Sequence, residues 1–232
     1  VRDILSHSLP AVMGEGLHRN RGNDGMFNDF TFRLTLKNTE PLADFFHLPM
    51  SVIYPVEITG EVSDISHDLA LAVDAPYLRQ GNKLVEDSRL SAFVNGSEGT
   101  VGLDFTTTAP TKNGPLTLLL QASGQRDYVN TGVSWKIDRD RAYEGEVGAV
   151  TTFSREDDGL LSTRVNLLPG TLTFNDSTWI VNPAKITVEG SRDITVDVVN
   201  VHRHNQFVKI SGRVSDDATS LLTLDLRNFS LD

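Results

Sequence analysis

An all-β fold, a mostly antiparallel sheet with one short helix, is what this sequence predicts. Three observations carry the prediction. Apolar residues recur at every second position in run after run, as they do along a strand with one apolar face. Gly, Asn and Asp punctuate these runs at hairpin distances. Helical spacing of apolar residues, by contrast, occurs once, near residues 40–47.

Residues 1–26 have little periodicity and are rich in Gly, Asn and Arg, which fits an opening strand followed by a loop. Phe30, Phe32, Leu34 and Leu36 then alternate with Thr31, Arg33 and Thr35 as a strand. In NTEPLADFFHLP, Asn38 or Thr39 caps a helix, Pro41 fits its first turn and Pro49 stops it. Two turns cannot stand alone, so Leu42, Phe45 and Phe46 are expected to pack on the sheet.

Strands resume with Val56, Ile58 and Val62, then Leu69, Leu71 and Val73. Further runs follow at Leu90–Val94, Val101–Phe105, Leu116–Leu120, Val133–Ile137, Tyr143–Phe153 and Leu161–Leu167. Their separators, among them NGSEG, APTKNGP, DRDR and REDDG, are turn-forming. The closing stretch, 168–232, holds Ile186 and Val188; Ile194, Val196 and Val198; Val208, Ile210 and Val214; and Leu222, Leu224 and Leu226. The total is about a dozen strands of roughly 6 to 9 residues, more than an immunoglobulin-like sandwich uses.

VEITGEVSD at Val56–Asp64 reappears as VKISGRVSD at Val208–Asp216, with six of nine positions identical. Either the small alphabet of β-strands converged, or a structural unit spanning about 27–80 is used again over 168–232. We expect a single elongated β-domain over 1–232, an internal fragment of a longer chain.

The 232 residues are enough to bury a substantial core, and the net charge of -10 argues against a nucleic-acid partner. Cys is absent, which removes disulfides, thiolate metal sites and cysteine nucleophiles. No run approaches the about 18 to 20 apolar residues that cross a bilayer as a helix.

Candidate chemical groups are scattered. His202 and His204 form an H-x-H pair expected on one strand face, but no third ligand stands nearby in the sequence. Asp138 and Asp140 lie in a charged turn, and Glu156, Asp157 and Asp158 lack the alternating oxygen ligands of a calcium loop. No nucleophile elbow, phosphate-cradling loop or dinucleotide fingerprint is present. We therefore expect no catalytic residues, no metal, no cofactor and a non-enzymatic role.

Two stretches carry a family resemblance. KNTEPLADFFHLP, VEITGEVSD and GNKLVEDSRL within Lys37–Leu90, then LLPGTLTFNDSTWIVNPAKITV, VKISGRVSD and LTLDLRNFSL within Leu167–Leu231, resemble TamB-like translocation and assembly module proteins of Bacteroidetes-type bacteria. These belong to the AsmA-like group. The resemblance implies a strongly curled sheet, a β-taco with an open apolar groove, in the periplasmic part of a protein anchored in the inner membrane. It also implies outer-membrane biogenesis: phospholipid transport between membranes, outer-membrane protein assembly, or both. Phospholipid acyl chains and the outer-membrane assembly machinery would be the partners, the latter through regions outside this chain.

On that reading the groove is lined by one parity of each strand. At one end these are Val56, Ile58, Val62, Leu69, Leu71 and Val73. At the other they are Ile186, Val188, Ile194, Val196, Val198, Val208, Ile210, Val214, Leu222, Leu224 and Leu226. The alternative is a closed, sandwich-like binding module that recognises unfolded outer-membrane protein strands or glycans, by strand addition at a sheet edge.

Overall fold

The structure of the chain, a computed structural model, describes residues 8–13, 29–46, 50–157, 159–190, 193–216 and 220–228. Its strands are β1 (Asp29–Leu36), β2 (Ser51–Val52), β3 (Val56–Ser63), β4 (Asp68–Gln80), β5 (Lys83–Asn95), β6 (Thr100–Thr111), β7 (Gly114–Gln125) and β8 (Tyr128–Ile137). There follow β9 (Tyr143–Arg155), β10 (Leu161–Leu167), β11 (Gly170–Phe174), β12 (Ser177–Val181), β13 (Ala184–Glu189), β14 (Asp193–Arg203), β15 (Gln206–Val214) and β16 (Leu221–Arg227). All sixteen belong to one sheet, and every pairing is antiparallel.

The topology is simpler than the strand count suggests. β2 and β3 both pair β4, and between them stands Pro55. β10 and β11 both pair β9 on either side of Pro169, and β13 and β12 both pair β14 on either side of Pro183. Proline has no N–H for the ladder, so each of these lanes is one long strand broken where a proline stands. Thirteen lanes remain, and each pairs with the next in chain order. The sheet is a pure meander.

Tight turns make that order possible. Arg126–Asp127 joins β7 to β8 and Asn175–Asp176 joins β11 to β12, all four residues having positive φ. Two central residues with positive φ give the turn whose twist matches the flanking strands. The lanes are longer than the alternation implied: β4, β5 and β9 each run 13 residues. At about 3.4 Å per residue that is roughly 44 Å, against roughly 20–31 Å for strands of 6 to 9 residues.

Among the described residues no second sheet covers this one. Among the described residues the buried apolar side chains are Ala43, Val52, Val56, Ala75, Val94 and Val181, and Val52, Val56 and Ala75 form one small knot. In the inner lanes the apolar parity is mostly half-buried and the other parity more exposed, as the alternation along β7 displays, whereas in β1 and β16 both parities are exposed. A single layer reaches that asymmetry by curling, because side chains on the concave side crowd one another. The curled, all-β expectation holds, and the described strands form one sheet rather than two.

The helical expectations need two corrections. The helix α2 (Glu40–Phe46) forms, with Asn38 Oδ1 accepting the N–H of Glu40 at 2.9 Å. Its Phe45 and Phe46, however, are 74% and 62% exposed and meet each other edge-on, so they do not pack on the sheet. Ala43 is the buried contact instead, and the Leu42 side chain lies outside the described residues. A second helical turn, α1 (Pro10–Met13), stands where an opening strand was expected. Asp127 holds it: its Oδ1 accepts the N–H of Ala11 at 2.9 Å, and its own N–H donates to Ser8. The remainder of 1–26 lies outside the described residues.

Candidate functional site

The site is a face. Residues directly opposite in an antiparallel ladder point to the same side of a sheet, so pairing registers trace rows across the lanes. One row begins at Phe30 and passes through Val62, Leu69, Val94, Val101, Gly124 and Val129. It continues through Thr151, Val165, Ile186, Val196 and Gly212 to Leu222. Every lane contributes one residue, and no charge interrupts it.

Parallel rows flank it on the same face. Leu34, Ile58, Val73, Leu90, Phe105, Leu120, Val133 and Val147 form one across eight lanes. Leu71 and Leu103 lie in the row between these two. Nearer the turns, Leu118, Trp135, Gly145, Leu172 and Trp179 form another. A hollow of about 280 Å³ opens on this face over Leu69, Val94, Val101, Leu103, Ala122 and Val129.

Two aromatics flatten the surface. Phe32 lies over Gly60, and Trp135 lies over Gly145, each ring within 2.3 Å of where a glycine Cβ would project. Both are direct cross-strand pairs. The backbone at each glycine becomes the floor on which the ring rests.

The expected lining residues fall on this face with one exception. Ile58, Val62, Leu69, Leu71 and Val73 join Ile186, Val196 and Leu222 through the connected rows. Val188, Ile194 and Val214 align beside them, as do Val208 with Leu226 and Ile210 with Leu224. Val56 shares the parity but is 3% exposed, closed inside the knot. Val198 leaves the face. A β-bulge between Val196 and Val199 slips the register, Val198 becomes 52% exposed, and Val199 and Val201 take the positions opposite Ile210 and Val208.

Two groups of lining residues were not predicted. The central lanes, with Leu90, Val101, Leu120 and Val133, carried the same alternation in sequence and were read only as strands. The Leu172–Trp179 pair was hidden, because β11 and β12 are five residues each and sit beside prolines.

The opposite face is mixed. Hollows there bring Thr59, Glu61, Asp74, Arg89 and Asp104 together with Ala72, Phe93 and Leu119. No group of three His, Cys, Asp or Glu among the described residues is arranged to hold a metal. His202 sits on this side opposite Ile180, its Nε2 3.2 Å from Asn182 Oδ1. His204 occupies a turn at φ 52, so the two histidines do not share a strand face as expected. Asp138 and Asp140 are exposed in the loop after β8, beside Arg139, which stacks on Tyr143 at 4.2 Å. Glu156 and Asp157 are exposed after β9, and Asp158 lies outside the described residues.

The ends of the lanes are pinned by polar bonds. Asp68 at the start of β4 accepts the N–H of Gly96 at 2.9 Å, tying neighbouring turns together. A hydrogen bond from Ser66 and then this amide hold its carboxyl below the usual carboxylate value, with a smaller pull from His67. At the far end Arg213 forms an ion pair with Asp193, which lowers that carboxyl too.

The chain matches no family model, no curated protein and no solved structure. No helix among the described residues is long and apolar enough to cross a membrane. The chemistry available to the face is therefore read from its own rows.

Proposed function

We propose that the apolar face is a lipid trough, a non-enzymatic segment of a bridge that carries phospholipid acyl chains between two membranes. The observation that carries this reading is the uncharged row crossing all thirteen lanes on a face that, among the described residues, no other strand covers. Lanes stand about 4.8 Å apart, so the row runs roughly 58 Å along the sheet. Each methylene taken from water contributes about 0.8 kcal/mol, so a tail of ~16 carbons gains on the order of 10 kcal/mol before ordering costs. Such a surface needs no head-group site. In the TamB-like setting that the sequence resembles, the chain works in the periplasm as part of an inner-membrane-anchored protein serving outer-membrane biogenesis. Its links to outer-membrane assembly machinery would lie elsewhere in that protein.

The test uses protein purified from bacteria, scored for co-purified phospholipid and for transfer of a fluorescent phospholipid between vesicles. Leu103→Glu places a charge in the hollow and should cut capture by about tenfold or more, a loss of at least about 1.4 kcal/mol. Leu119→Glu, on the opposite face, should leave capture unchanged. Wild-type capture by Leu103→Glu, or an equal loss in Leu119→Glu, would overturn the trough.

A further inference from the structure

The face opposite the trough carries a second feature, which the lipid reading does not use. Two hollows there, of about 450 Å³ and about 350 Å³, share Thr59, Ala72 and Ser91 and so form one cleft from β1 to β7. Its middle row runs Arg33, Thr59, Ala72, Ser91, Asp104, and the three short side chains at the centre make the floor. On one side stand Glu57, Asp74, Arg89, Thr106 and Leu119; on the other, Glu61, Ala70, Phe93 and Gly102. Apart from its β1 residues, the cleft lies on lanes paired on both sides, so its shape does not depend on either end of the sheet.

Phe93 points to a ligand. Its ring lies over Gly102, 2.1 Å from where a Cβ would project, yet the residue is 44% exposed. The ring rests on backbone and leaves its outer face open as a platform. The charges around it narrow the choice. Arg33 and Arg89 are interleaved with Glu57, Glu61, Asp74 and Asp104, so donors and acceptors alternate and no positive field gathers phosphate. An acyl chain finds no path here, because Phe93 and Leu119 stand apart among polar groups. Gln121 Nε2 donates to Asp104 Oδ1 at 2.9 Å and fixes that carboxylate two residues from Gly102. Such a lining suits a molecule with a C–H face for the ring and hydroxyls around its edge. Those hydroxyls donate to carboxylates and accept from guanidinium groups.

We propose that this cleft binds a neutral oligosaccharide, stacked on Phe93 and hydrogen-bonded by Asp74, Arg89 and Asp104. Alternate residues of a strand point to opposite sides of a sheet, so glycan and lipid occupy opposite faces of the same lanes.

The test titrates the purified chain by calorimetry with cellohexaose and chitohexaose, and with hexagalacturonate as the acidic counterpart. At least one neutral hexasaccharide should bind with a Kd in the millimolar range or tighter. Phe93→Ala should weaken that binding by about tenfold or more, while Phe93→Trp, which keeps a ring over Gly102, should retain it. Asp104→Asn and Arg89→Gln should each weaken it by about tenfold. Hexagalacturonate should bind at least about tenfold more weakly than the neutral chain, because its carboxylates meet four others. Should Phe93→Ala fail to fold, the exposed Asp104 and Arg89 variants carry the test. Absence of binding by both neutral hexasaccharides, wild-type affinity in the Ala, Asn and Gln variants, or equal binding of hexagalacturonate would overturn the proposal. Phospholipid capture is scored separately on the same variants and should not change, so either idea can fail alone.

Discussion

At the residue scale the decisive contacts are between large rings and absent side chains. Trp135 can lie flat on β9 only because Gly145 offers no Cβ; an added one would meet the ring at 2.3 Å. Gly145→Ala should therefore force the indole away and cost about 1–3 kcal/mol in a urea melt, with a shift of Trp emission. Gly132 has no neighbour within 4 Å of such a Cβ, and Gly132→Ala should be neutral or stabilising by up to about 1 kcal/mol. Equal losses from both substitutions would show that backbone freedom matters here rather than ring cover. None of this was legible in the sequence. Glycines read there as turn signals, whereas Gly60, Gly102 and Gly145 stand opposite Phe32, Phe93 and Trp135 only once the registers are known.

At the element scale periodicity was a good guide until a strand changed phase. Ile194, Val196 and Val198 alternate without a break, yet Val199 and Val201 alternate equally well, and periodicity alone cannot say where the switch falls. The ladder places it between Val196 and Val199. Val198→Asp should be nearly silent, within about 0.5 kcal/mol, while Val199→Asp should cost about 1–3 kcal/mol by setting a carboxylate against Ile210. Thermal melts of the two variants decide it, and the reverse order would restore the unbroken alternation. Prolines divide lanes in a way that alternation does not register: Pro55, Pro169 and Pro183 each interrupt a lane that resumes beyond it. The helix α2 was legible from its cap and its proline, whereas the exposure of Phe45 and Phe46 depends on how the chain leaves the sheet.

At the scale of the molecule the fold was legible because it is almost one-dimensional. Each lane pairs only with its neighbours in sequence, so reading strands in order was already reading the topology. What no local pattern revealed was the alignment of rows over thirteen lanes, which accumulates from every turn and bulge between them. The same architecture governs stability. Without a shared core, each lane rests on the two beside it, as in repeat proteins whose energies are sums of units and interfaces. Removing residues 204–232 takes away β15 and β16 and leaves β14 as the new edge. The shortened chain should keep its strand dichroism and the folded emission of Trp135 and Trp179, and it should unfold in urea with a smaller slope because less surface is exposed. Emission already at the unfolded position without urea would mean that the last hairpin holds the distant lanes, through a cooperativity that nearest-neighbour pairing does not contain.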